Sequence, residues 1–163
     1  MTVFRSRARS RRRDDARGAV TVEFVLILPF FLLLIFLLIG MGTMFSFRQA
    51  LSQAASEGAR AAAVQPLGTS SAARKSDAWS AIDQTLDAQA DVRCTSGVLL
   101  RHGETVGACS VSEAVACDAG KMCVTVRISY NYRDHQIAGS MPFVPDSMFP
   151  ATLTYESSAR VSQ

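Results

Sequence analysis

From Phe24 to Phe47 the chain carries no charged side chain, and residues 24–39 are almost unbroken Phe, Leu, Ile and Val. No other feature of the 163 residues limits the fold as strongly. Built as a helix at ~1.5 Å per residue, the charge-free stretch is roughly 36 Å long. The hydrocarbon core of a bilayer is ~30 Å thick and takes about 20 apolar residues. The stretch therefore predicts one transmembrane helix at about residues 24–45. A buried core helix has a shorter apolar run, about 10–14 residues. A cleaved secretory signal has an apolar region of about 7–15 residues before a small-x-small site. Here Gly40-Met41-Gly42 is a poor site of that kind, and helix-forming residues follow it.

Charge gives the expected orientation. Residues 1–18 hold seven arginines and two aspartates, a net of +5, whereas the whole chain is +3, leaving −2 for residues 19–163. Arginine beside a span stays cytoplasmic. The N-terminus is thus expected inside and everything after Phe47 outside. Because the span accounts for the arginines, no nucleic-acid partner is expected; the lipid bilayer is. Residues 1–17, rich in Arg and Ser, are expected to lack regular structure.

All four cysteines, Cys94, Cys109, Cys117 and Cys123, fall in the predicted outer part. An even number in an extracytoplasmic domain argues for two disulfides. No pair has Cys-x2-Cys spacing, and His102 and His135 sit in no ligand pattern, so no metal or other cofactor is expected. Three pairings remain open. Local loop closure favours Cys94–Cys109 and Cys117–Cys123.

The remaining pattern predicts an α+β unit. Phe47, Leu51, Ala54, Ala55, Gly58, Ala59, Ala62 and Ala63 recur at three- and four-residue steps among Arg48, Gln49, Ser52, Gln53, Glu57 and Arg60. One helix over residues 20–64 is therefore expected, with a kink or weakened turn near residues 25–29 from Pro29 and a small-residue face fit for close approach to a sheet or another helix. Residues 68–75 read as a linker, with Ser76 as N-cap of a short helix whose stripe is Trp79, Ile82, Leu86 and Ala90. Asp83, Asp87 and Asp91 read as a solvated acidic face. Residues 92–121 read as irregular, with a short strand at Val98–Arg101. Val124, Val126, Ile128, Tyr130 and Tyr132 alternate with polar residues as in a half-buried antiparallel strand. Pro142, Pro145 and Pro150 mark a loop, and a last strand is expected over residues 151–161 with a bulge at Ser157-Ser158. The domain boundaries so read are 1–18, a basic leader; 19–66, the membrane and protruding helix; and 67–163, the outer domain. No phosphate loop, HExxH or GxSxG is present, and no enzyme is expected.

Glu23 stands at the edge of the apolar run, where an acid either is solvated in the headgroup zone or enters the hydrocarbon at a cost that points to function. Gly18-Ala19-Val20-Thr21-Val22-Glu23 before an apolar helix resembles the type IV prepilin processing site, although the residue after the glycine is Ala rather than the usual Phe or Met. Gly18 to Pro29, then Phe47-Arg48-Gln49-Ala50-Leu51 and Ala54-Ala55-Ser56-Glu57-Gly58-Ala59-Arg60, resemble the TadE-like family, minor pseudopilins of the tight-adherence (Flp) pilus or related proteins. A weaker likeness covers residues 122–161. The resemblance implies cleavage between Gly18 and Ala19 by a prepilin peptidase. It also implies that Glu23 pairs with a neighbouring subunit's new N-terminal amine, with Glu23 and Pro29 serving assembly. Its implied partners are other pilins and the pilus assembly platform, with the Ala54 to Ala63 face packing on pilin helices. An unprocessed membrane-anchored adhesin or scaffold is the alternative.

Overall fold

The helix demanded by the apolar stretch is α1, Arg7–Val64, and it runs through Pro29 without a break. The computed structural model describes residues 7–66, 68–118, 120–137, 139 and 145–161, with side chains from Val20 onward except Asp118. The chain divides into two compact units, Met1–Gly40 and Met41–Gln163. The arginine-rich leader, expected to lack regular structure, is helical from Arg7 on. Arg and Ala are good helix formers, and no proline interrupts this part.

In the first unit, the side chains from Val20 to Ile39 are overwhelmingly open to their surroundings; Phe30 is 76% exposed. The segment Val20–Val64 is long and apolar enough to cross a membrane, with a peak mean hydropathy of 3.1 and almost none of that apolar window buried. An exposed apolar cylinder of this size calls for lipid or other apolar helices around it.

The second unit is two helices on one face of an antiparallel sheet, an α+β fold as the sequence pattern predicts. Its elements after α1 are α2 (Ser71–Ala90), β1 (Arg93–Thr95), β2 (Val98–Arg101), β3 (Glu104–Val111), β4 (Val115–Asp118), β5 (Lys121–Tyr130), a 3-10 turn (Asp146–Met148) and β6 (Leu153–Arg160). β5 is central. β6 pairs with its whole upper length on one side; β3 and β4 share the other, and β2 and β1 continue outward from β3. Val124, Val126, Ile128 and Tyr130 are fully buried, while Arg127 faces solvent. This is the period of two that the sequence carries.

Phe47, Leu51, Ala54, Ala55, Ala59 and Ala62 are buried on the α1 side of the core. Phe47 meets Tyr130 edge-on at 4.7 Å between ring centroids, and Tyr132 lies 6.1 Å away. At Gly58 a Cβ would stand 2.6 Å from Cγ1 of Ile82, so α2 crosses α1 at a spot that admits only glycine without a shift. The alanine face is therefore consumed inside the chain by α2 and the sheet. It is not left for a neighbouring helix, which corrects the expectation drawn from the resemblance.

Three further expectations are corrected. α2 begins at Ser71, not after Ser76: Ser70 caps it by accepting from the Ala73 amide at 3.3 Å. The intervening Ala-Ala-Arg-Lys favours helix, and buried Arg74 ties that first turn to the Pro66 carbonyl at 2.9 Å. Residues 92–121 are not irregular; apart from Val98–Arg101 they also hold β1, β3 and β4. Ser96-Gly97 and His102-Gly103 both have positive φ at each residue (51° and 92°, 51° and 84°), the geometry of tight two-residue hairpin turns. Lastly, β6 has no bulge at Ser157-Ser158, which pair in regular register with Val126 and Thr125.

Candidate assembly and anchoring site

Gly18 and Ala19 lie in the backbone of α1, one turn before Glu23. The Glu23 side chain is exposed, and among the described residues no side chain pairs with it. Pro29 is exposed within α1, four residues before Leu33 on the same open apolar surface. α1 thus presents an acid at the edge of a bare apolar cylinder.

The four cysteines form two disulfides, Cys94–Cys109 and Cys117–Cys123, and none is free. The first links β1 to β3 across β2 and is buried, with Cys109 at 0% exposure. The second closes the β4–β5 hairpin, and Cys117 is open to solvent. Reduction requires a thiolate to reach a sulfur. Under native conditions a mild reductant will therefore open Cys117–Cys123 first, with Cys94–Cys109 reacting only as the domain unfolds. Timed alkylation and peptide mass mapping read the order; Cys94 and Cys109 labelling first would contradict this packing.

Of the three aspartates spaced along α2 and its C-cap, Asp87 and Asp91 are exposed, as a solvated face requires, and Asp83 is half-buried, yet each has a partner. Asp83 accepts the Cys94 amide at 3.0 Å, Asp87 meets Arg93 Nε at 3.3 Å, and Asp91 lies 3.4 Å from His102 Nδ1. They fasten α2 to β1 and the β2–β3 turn, next to the buried disulfide. Trp79 belongs to the same seam, donating its indole N–H to the Cys109 carbonyl at 3.2 Å. The four-residue spacing of the acids is visible in sequence, but their partners lie in β1 and in the β2–β3 turn, which carry no periodic signal.

Two clusters escaped sequence reasoning. Lys75 pairs with Glu113 across the α2 start, and this hydrogen bond is the chief reason the Glu113 carboxyl sits below its usual pKa. At the other end, Tyr130 and Tyr132 pack on Phe47, and Tyr132 in turn meets Phe149 and lies near Arg48. Burial raises both phenols above their ordinary pKa; Arg101 opposes this at Tyr130 and Arg48 at Tyr132. An open cleft of about 280 Å³ beside Glu57, Arg60, Gln65 and Asp77 holds no nucleophile–base pair; its Gln65 amide bonds Asp77 at 2.5 Å. Among the described residues no three His, Cys, Asp or Glu gather as a metal site.

Fold and exposed surface together define a protein with one long apolar helix, of the single-pass anchor kind, leading into a disulfide-linked α+β domain. The chain carries a TadE-like segment: residues 18–60 match the family model described as TadE-like protein. The match starts at Gly18 and spans Glu23, Pro29 and the helix as far as Arg60. Comparison with curated proteins and with solved structures gave no match.

Proposed function

We propose that this chain is a non-enzymatic minor pseudopilin, or pilus-assembly component, of a tight-adherence (Flp-type) pilus. The observation that carries the reading is the TadE-like match beginning at Gly18, with an exposed acid five residues on. Residues 1–18 act as a cytoplasmic leader, α1 anchors the protein, and the outer domain lies across the membrane, as the positive-inside rule requires. A prepilin peptidase cuts between Gly18 and Ala19. Glycine inside a helix costs about 1 kcal/mol relative to alanine, so Gly18 weakens α1 locally and eases opening of the backbone to a protease. The cut creates an amine on Ala19. In the assembled pilus, Glu23 of one subunit neutralises the Ala19 amine of the next; a carboxylate entering an apolar setting is tolerable when so paired. Subunit packing uses the bare face from Val20 to Ile39, where Pro29 lies, since the alanine face is taken up internally. The partners are other pilins, the assembly platform and lipid.

Gly18→Arg and Glu23→Ala test this in a piliated host. Gly18→Arg is expected to leave the leader attached and abolish incorporation. Glu23→Ala is expected to allow cleavage but lower piliation at least tenfold, read by microscopy and immunoblot of sheared pili. Unchanged piliation in both would contradict the mechanism and favour an unprocessed anchored adhesin or scaffold, whose outer domain alone binds a partner.

A further inference from the structure

At the point where α1 leaves its apolar stretch, the second unit gathers an aromatic and basic rim. Phe45 is 55% exposed, and the Arg48 guanidinium lies 5.9 Å from its ring centroid. Arg48 Nε is shielded from solvent and has no hydrogen-bond partner. Ile137 lines a small cleft with Thr43, Ser46 and Phe47. Phe47 leads through Tyr132 to Phe149, whose ring is 6.0 Å from that of Tyr132. The next residue outward, Met148, is 62% exposed on a short 3-10 turn. Arg133 holds the Phe149 carbonyl with Nε and Nη2 at 3.3 and 3.0 Å, so three of its five guanidinium N–H donors stay available. Of the acids here, Asp146 accepts from Gln136 at 2.8 Å, and Asp134 stands exposed beside Arg133.

We infer that this rim is a lipid-contact surface: the turn at Asp146–Met148 inserts Met148 into the bilayer interface, and Arg48 and Arg133 face lipid phosphates. This rests on the reading of α1 as a membrane span. The occupant follows from chain continuity, because the charge-free run ends at Phe47, in contact with this rim. Phe47, Tyr132 and Phe149 are buried behind the rim; exposed Phe45 and arginines with apolar stems are the kind of side chain that settles at a membrane–water boundary. An exposed methionine there removes apolar surface from water by entering the acyl region. Lipid contact at both α1 and the turn would hold the outer domain at a fixed tilt to the bilayer and limit which neighbours its sheet can meet.

The test uses the full chain in vesicles of phosphatidylcholine and phosphatidylglycerol. All native cysteines are in disulfides, so an introduced cysteine is the only thiol to label. Met148→Cys, Phe30→Cys and Val115→Cys each carry an environment-sensitive fluorophore. Val115 pairs with Cys123, seven residues along β5 from Tyr130, roughly 23 Å away. Quenching by spin-labelled lipid is expected to be at least twofold stronger at position 148 than at 115, with iodide quenching weaker. Position 30 must be quenched by lipid if α1 spans at all, which separates the two claims. Lipid quenching at 30 but equal quenching at 148 and 115 would overturn the inference alone. Shielding of 148 from iodide without lipid quenching would assign the rim to a protein neighbour and also overturn it.

Discussion

Replacing Gly107 with valine is expected to destabilise the outer domain by about 3 kcal/mol or more, a large part of what a domain this size has to lose. Strand propensity alone predicts the opposite sign, since valine favours strands and glycine weakens them. Geometry decides. A Cβ at Gly107 would lie 2.0 Å from the Ser129 carbonyl oxygen and 3.0 Å from Tyr130 Cα. Both are backbone atoms of the central strand, so no side chain can swing aside. The close approach arises where the β2–β3 register shifts: Leu99 faces Gly107 but Leu100 faces Thr105, leaving Val106 as the extra residue. The β3–β5 register continues past it, the Asn131 amide donating to the Val106 carbonyl at 2.8 Å. Trp79, the only tryptophan, sits on the Cys109 carbonyl and reports the fold by fluorescence in detergent. Ala108→Val, exposed on the same strand, is the control and should change stability by less than about 1 kcal/mol. Equal stabilities for the two variants would contradict the bulge.

Phe47→Ala should cost about 3–5 kcal/mol, the usual range for truncating a buried phenylalanine. Phe47 is 3% exposed and is the side chain joining α1 to Tyr130 and Tyr132. Removing it leaves a cavity between rigid rings. Phe45→Ala, on the exposed side, should cost no more than about 1 kcal/mol in detergent. The same cluster sets an alkaline limit. Burial raises the folded pKa of Tyr130 and Tyr132. Their contribution is fully present below the unfolded phenol pKa of ~10 and is lost as pH rises above it, because the unfolded chain gives up these protons first. A denaturant midpoint that rises between pH 9.5 and 11 would contradict the burial of these rings.

Much of this fold could be read from the residues. The charge-free run gave α1, and the alternation from Val124 to Tyr130 gave β5, because burial on one face leaves a periodic trace. In the β1–β4 region only β2, Val98–Arg101, was legible. Its strands are three to eight residues long. They are organised by positive-φ turns at Ser96-Gly97 and His102-Gly103 rather than by hydrophobic period. The acids of α2 were legible as a row, but their meaning depended on those unseen strands. The small-residue face at Ala54 to Ala63 was legible as a packing surface. Which surface it meets was not, since α2 and a neighbouring pilin helix ask for the same small side chains. Glu23 stood out because a carboxylate at the edge of an apolar run is rare on energetic grounds.

The central claim is that this membrane-anchored chain is trimmed after Gly18 and then assembles. Intact mass of the protein extracted from membranes of a host carrying the tight-adherence machinery tests it most directly. The account predicts a mature species beginning at Ala19, with the Glu23→Ala variant showing the same start. A sole species beginning at Met1 in a host whose other pilins are processed would contradict it, and would leave an anchored scaffold with an intact basic leader.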